Sequence, residues 1–364
     1  MKHIVLPLSV FLLVMTSFPC TADTIPEPGK LYLDFRSLSF IKDNEYSNPV
    51  IEGYTLIGYF VQPTLSYSPS DKITLRLGAH LLGYSGAGRF SLVKPVFSTS
   101  WNFAPGFTLT AGTLSGSDGH RMLDPHFNKE RLYTGYSEDG LQVRFENVHL
   151  FNDTWVSWEH FIFRGDTTRE MFTAGESFNW APGEIAGFLQ IEVPVQLQFK
   201  HFGGQISNYT EQVETYFNTA AGLTLKASLS ENDRSEAGLS GLLFTGRCLT
   251  RNAPSGIQSG HGQWYRLFAQ AGPGRIEAGY WRSHDFYAPN GDFIFSSVSD
   301  HLPGVIIHDR KIITCSAGIS AKPLNIISFY LGFDGYYDTD LGKFDTAFTL
   351  HMIFDGLFRI AELH

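Results

Sequence analysis

The feature that most constrains this chain is a two-residue rhythm of apolar and polar side chains that restarts after almost every turn. Ile57, Tyr59, Val61, Pro63, Leu65 and Tyr67 share one parity, and Gly58, Gln62, Thr64, Ser66 and Ser68 the other. Past Pro69-Ser70-Asp71, a turn by composition, Ile73, Leu75, Leu77, Ala79 and Leu81 alternate with Thr74, Arg76, Gly78 and His80. The same alternation runs through 141–146, 192–200, 313–320 and 348–355. Successive side chains of a strand point to opposite faces, so the pattern predicts strands with one apolar and one polar face. Apolar spacing of the helical kind is almost absent. After position 22 no run of 18 apolar residues offers a transmembrane helix.

The breaks between strands carry a second signal. Short turns are expected at 68–71, 104–106, Asn152-Asp153, 181–183, 231–235, 272–274 and 322–325. Between them lie longer polar connections, at 42–53, 84–89, 116–139, 164–169, 201–212, 248–262, 284–310 and 338–342. Tight turns and long loops alternate from a first strand near 30–41 to a last at 343–361, which predicts about sixteen strands within a range of 12–18. A soluble sandwich gives no reason for that order. A closed antiparallel transmembrane β-barrel does, with short turns on the periplasmic side and long loops outside. Sixteen strands leave roughly 21 residues for each strand and its connection, enough to cross a bilayer. Backbone groups in lipid must pair within the sheet, so the sheet must close, with its apolar face outward. Tyr54, Trp101, Phe103, Phe107, Trp155, Trp180 and Trp281 then read as interfacial girdles.

Composition narrows the alternatives. Hydrophobic residues make up 43%, aromatics 15% and charges only 17%, which excludes disorder. Thirty-six glycines argue against a helical bundle. Acidic residues outnumber basic ones, 36 to 27, with no basic stripe, so nucleic acid is not an expected partner. Three cysteines cannot build a disulfide framework, and Cys248 and Cys315 are expected as unpaired thiols. Lys2 and His3, the apolar run Ile4–Val14 and the small residue Ala22 predict a secretory signal peptide over 1–22. Residues 23–364 then form one barrel domain. Lipidation of Cys20 is the second reading, because Phe18-Pro19 are not the small residues such a site uses.

Parity assigns Arg76, His80, Arg144, Glu146, Lys200, Lys226, Arg266, Glu277, Asp334, Asp355 and Arg359 to the lumen, where water or opposite charge can solvate them. The connection Ser115–Gly140 adds Asp118, His120, Arg121, Asp124, His126, Lys129, Glu130 and Arg131. His120 and His126 lack the i, i+4 spacing of a helical zinc pair, and HExxH does not occur, so no metal or cofactor is assigned. Asp338-Thr339-Asp340 resembles the opening of a calcium loop without its glycine and distal glutamate. Without a G-x-S-x-G elbow, no catalytic residue is assigned either.

The signal peptide, the loop-and-turn rhythm and the last strand together resemble the outer-membrane β-barrel proteins of Gram-negative bacteria, in layout the sixteen-stranded porins. The terminal strand of that class holds a glycine followed by alternating hydrophobic and aromatic residues, which Gly356, Phe358 and Ile360 approximate. This chain departs by continuing through Glu362-Leu363-His364. The resemblance implies an outer-membrane location, contact with its lipid and lipopolysaccharide, recognition by the barrel-insertion machinery, and room for a homo-oligomer. It implies a channel for small hydrophilic solutes rather than an enzyme. Residues 116–139 would be the third outer loop, which in general porins folds inward and narrows the pore, so these lumen and loop charges become pore-lining or constriction candidates. The alternatives are a lipid-modifying enzyme with a filled barrel and a secreted soluble β-protein that binds glycans.

Overall fold

The computed structural model describes residues 20–21, 27–185, 187–204, 206–210, 212–229 and 235–362. Most of the expected signal peptide lies outside them. Sixteen long strands follow in order: β1 Lys30–Glu45, β2 Tyr54–Ser70, β3 Ile73–Tyr84, β4 Leu92–Ala104, β5 Phe107–Thr113, β6 Asp139–Glu146, β7 Leu150–His160 and β8 Glu170–Trp180. The second half is β9 Leu189–Gly203, β10 Glu214–Ser228, β11 Glu236–Cys248, β12 Ser259–Ala271, β13 Gly274–His284, β14 Asp309–Leu324, β15 Ile327–Asp338 and β16 Lys343–Glu362. Each pairs antiparallel with the next, and β16 pairs with β1 from Thr346↔Glu45 to Glu362↔Lys30, which closes the barrel. Two-residue strands at Cys20–Thr21 and Glu184–Ile185 are appended to β16 and β9.

The alternation decides which face looks where. Ile57, Tyr59, Leu65, Leu75 and Leu77 are exposed on the outside, while Thr64, Ser66, Ser68 and His80 are buried inside. That inversion suits a wall whose outer solvent is lipid. Trp101, Phe103 and Trp180 lie exposed near periplasmic turns as expected, but Trp155 and Trp281 do not belong to a girdle. Both face the lumen and are buried, because material inside the barrel packs on them.

Two local expectations also change. Asn152-Asp153 is not a turn. Asn147 makes the turn instead, its side-chain oxygen accepting from the backbone N–H of His149 and Leu150, each at 2.8 Å. Asp153 thereby falls within β7, pointing inward. Cys248 closes β11 rather than lying in a loop; it and Cys315 are both free thiols.

The shortest walls explain the filled interior. β5 and β6 have only 7 and 8 residues, so residues 114–138 leave the wall well below its rim. Irregular backbone at membrane depth is tolerated only when buried in protein. The segment therefore turns into the barrel at Gly116, whose φ of 95° leaves no room for a side chain, since a Cβ would meet the Tyr136 ring at 2.5 Å.

Candidate functional site

The inward loop 114–138 is held by a chain of alternating charges. His120 is fully buried and stacks on Trp155 with ring centroids 3.7 Å apart. Its Nδ1 meets Asp153 Oδ2 at 2.8 Å and its Nε2 meets Glu138 Oε2 at 2.7 Å. An imidazole that gives a proton to two carboxylates is the doubly protonated cation. Burial works against that charge, but the hydrogen bonds and negative charges of Asp153 and Glu138 outweigh it and raise the His120 pKa. Beyond Asp153 lies Arg144, at 3.1 Å, and beyond Glu138 lies Arg131, at 3.0 Å. Arg131 approaches Glu159 at 4.0 Å, and Glu159 bonds Lys200. The sequence of signs is strictly alternating: Arg144, Asp153, His120, Glu138, Arg131, Glu159, Lys200.

From there the loop crosses to other walls. The Leu123 N–H donates to Gln196 Oε1 at 3.0 Å, and Gln196 returns a bond to the Arg121 carbonyl at 3.1 Å. Glu130 accepts from Asn44 Nδ2 at 2.7 Å and from the Tyr54 hydroxyl. Tyr133 meets His351 Nδ1 at 2.9 Å. His126 is buried between Phe244 and Phe286, and burial pushes its pKa down to about 3.

A second loop, 285–308, was expected only as a polar connection. It also folds inward, as an apolar plug. Phe286, Ile294 and Phe295 join Phe244, Trp264, Trp281 and Ile312 in one buried cluster. Arg310 ties the plug to the wall through Asp338 at 2.7 Å and the Ser296 carbonyl at 2.5 Å. The two loops meet directly, Asn128 N–H on the Asn290 carbonyl and Asp292 N–H on the Asp124 carbonyl, both at 2.8 Å. Burial, reinforced by nearby Glu130, pushes the Asp292 carboxyl up to about 7. The Asp338 carboxylate, expected as a calcium-loop opening, instead binds Arg310 and caps the N–H groups of Asp340 and Leu341.

Beneath the loops a chamber of about 770 Å³ remains, bordered by Lys42, Lys129, Asp292, Asp334 and Tyr330 and by periplasmic-end residues such as Lys322. A neighbouring space of about 400 Å³ shares Asp124, Lys129, Asp334, Tyr330 and Tyr336 with it. Lys129 pairs with Asp124 at 2.7 Å, and Lys42 approaches Asp334 at 3.8 Å.

The remaining sequence candidates are dispersed around the wall as pairs. Arg76 approaches Asp34 at 3.8 Å, His80 meets Gln62 at 3.1 Å, and Arg36 links Asp118 at 3.0 Å to Asp355 at 3.7 Å. Arg121 meets Glu146 at 2.7 Å, Lys226 meets Glu192 at 2.6 Å, and Arg266 meets Glu277 at 3.4 Å. Arg359 stays exposed at the periplasmic end, apart from every cluster. Parity finds these faces but not their partners: nothing in the sequence singles out Glu138 or Glu159, and the turn expected at Asn152-Asp153 hides Asp153. Chemically the network is a brace. With both nitrogens of His120 committed, it holds no free base.

Comparison with known proteins agrees with this architecture. No curated protein matches the chain by sequence. A loop-deletion mutant of OmpT, an outer membrane protein of Vibrio cholerae, is similar at 13% identity with a TM-score of 0.52, over 90% of this chain and 99% of that one. The in-vitro folded trimer form of OmpT gives 11% and 0.51, over 90% and 99%. The outer membrane protein OpdK of Pseudomonas aeruginosa gives 9% and 0.50, over 91% and 100%. At these identities the likeness is one of fold: a Gram-negative outer-membrane β-barrel, and the protein is located accordingly. The family model described as lipid A 3'-O-deacylase-type matches residues 22–363, nearly the whole chain. The chain therefore belongs to the lipid A 3'-O-deacylase-type family.

Proposed function

We propose that this protein is an outer-membrane hydrolase that removes an ester-linked acyl chain from a lipopolysaccharide-type lipid, with the barrel as a filled scaffold. The observation that carries the reading is the family match over residues 22–363. The interior supports it. Two loops packed on each other and on several walls suit a rigid support better than a path for solutes, and the charged candidates serve as braces. A lipid of the outer leaflet reaches such an enzyme laterally, along the outer wall, without entering the lumen. Hydrolysis adds water across the ester, releasing a fatty acid and leaving a hydroxyl on the sugar.

The porin-like reading rests on the chamber of about 770 Å³ and its mixed charges. On the present proposal that chamber is a water-filled vestibule under the plug. Incubating the refolded protein with lipopolysaccharide in detergent micelles, then weighing lipid A by mass spectrometry, tests the proposal. The expected product is lighter by one acyl chain, with the matching free fatty acid in solution. Unchanged lipid A at every protein concentration would overturn it.

A further inference from the structure

Lysines and arginines on the strands obey a rule with three exceptions. Among the described strand residues, those within the membrane wall point into the lumen or sit at its mouths, except Arg247, Arg282 and Lys311, which share the outward parity of Leu243, Tyr280 and Ile313. All three occur on the four neighbouring strands β11–β14, at the end that carries the long loops. A cation on the lipid-facing parity is costly at the bilayer centre and tolerated at its edge, so their height on the wall matters.

Position along each tilted strand, counted from the aromatics on the same face, gives that height. Tyr265, Tyr280, Ile313, Tyr337 and Phe344 lie side by side in one row on the outside of β12–β16. Its aromatics are of the kind that marks the headgroup boundary, set along a row that climbs with the strand tilt. The next outward row is Gln263, Arg282 and Lys311. Two residues rise about 6.6–7 Å along a strand tilted by about 35–45°, so Arg282 stands about 5 Å above Tyr280 and Lys311 about 5 Å above Ile313. One pleat higher come Thr245, His261, His284 and Asp309, with the rings of His261 and His284 6.0 Å apart. The acids of this patch already have partners: Asp309 meets His284 Nδ1 at 3.0 Å, Asp340 meets Lys311 at 3.1 Å, and Asp285 meets His308 Nδ1 at 2.5 Å. Arg282 makes no ion pair within 4 Å among the described residues, though both it and Lys311 feel the Asp309 carboxylate, and the Lys311 ammonium has donors to spare beyond Asp340.

We infer that the outer wall of β12–β14 is a binding site for the phosphorylated headgroup of an outer-leaflet glycolipid, with Arg282 and Lys311 as its phosphate ligands. The guanidinium offers two parallel N–H donors to a phosphate, and the ammonium offers a point charge beside it. The aromatics below receive the acyl chains. The site deepens the hydrolase reading, on which it rests, by orienting the lipid with its phosphate up and its ester linkages near the tyrosines.

The test measures binding rather than hydrolysis, so the two ideas can fail separately. The intact protein in nanodiscs is titrated with lipid A and with chemically dephosphorylated lipid A, as the native chain and as the Arg282→Gln/Lys311→Gln double variant. Heat-resistant migration on gels confirms that both barrels are folded. The double variant should bind lipid A at least tenfold more weakly while its binding of the dephosphorylated lipid stays within twofold of native. Equal binding of lipid A by both proteins would overturn the site. So would an equal loss for both lipids, which would deny the phosphate a role, or displacement of lipid A by equimolar inorganic phosphate, which would make it a soluble-anion site. Loss of phosphate-dependent binding with no acyl release by either protein would uphold the site and refute the hydrolase.

Discussion

The two loops that fill the barrel lean on different physics, although the first also seats Tyr133, Tyr136, Met122 and Phe127 in apolar clusters. Residues 114–138 are braced by alternating charges, Arg144 to Lys200 through His120. Residues 285–308 are anchored by an apolar cluster built on Trp281, Phe286, Ile294 and Phe295. A buried ion network is demanding: removing one partner strands the others in a medium that cannot solvate them. An apolar cluster degrades with the volume removed. The difference follows from what each loop meets. The first faces β6–β9, which present Arg144, Asp153, Glu159 and Lys200; the second faces β11–β14, which present Phe244, Trp264, Trp281 and Ile312.

The largest effect should come from Asp153→Ala. It leaves Arg144 and one nitrogen of His120 without their carboxylate, and should lower the local stability of the first loop by about 3–5 kcal/mol. Amide hydrogen exchange should show 114–138 opening while 285–308 keeps its protection. Simultaneous opening would mean that the loops form one cooperative unit. Phe295→Ala is the mirror experiment, about 3–5 kcal/mol with part recovered by collapse of the cavity. Exchange in 285–308 should rise, with the charged brace intact.

A third substitution asks whether the wall itself behaves as lipid-facing. Leu77 is 61% exposed on the outer parity, so Leu77→Arg should cost about 2–4 kcal/mol of folding stability in lipid vesicles. Thr55→Arg, on the same parity at the outer rim, should cost far less. Equal costs would place the membrane elsewhere on the wall.

The last effect is a titration, read as a slope with pH. Burial raises the folded pKa of Asp292 to about 7, above its ordinary value of 3.8. A raised carboxyl pKa means that its stabilising contribution is complete below the unfolded value and is lost as pH rises through the folded one. Once exchange rates are corrected for the intrinsic base catalysis of amide exchange, the protection of 285–308 should therefore fall between about pH 4 and 7, and Asp292→Asn should abolish that fall. His120, whose pKa is also raised, holds the first loop charged below its folded pKa and releases one of its two hydrogen bonds above it.

The barrel is legible in the sequence because a strand has only two faces, and the parity of Leu75, Leu77 and His80 needs no tertiary information. The inward turn of 116–139 is suggested by its length and charge. What parity cannot supply is register, which decides that His120 meets Asp153 and Glu138 rather than other acids. The plug at 285–308 left a trace in Phe286-Tyr287-Ala288, Phe293-Ile294-Phe295 and Val305-Ile306-Ile307, three apolar runs within one connection. The outward cations left a trace too. Arg282 and Lys311 carry the parity of Tyr280 and Ile313, so both are misplaced for a lumen residue and become meaningful only once their rows align.

The most direct test of the filled lumen is electrical. The intact protein is inserted into a planar bilayer and its ionic current recorded. Two loops packed across the barrel predict no stepwise conductance from the native chain, and the appearance of open-channel steps when residues 118–134 are replaced by a short glycine-serine link. Steady ohmic steps of porin size from the native protein would contradict it.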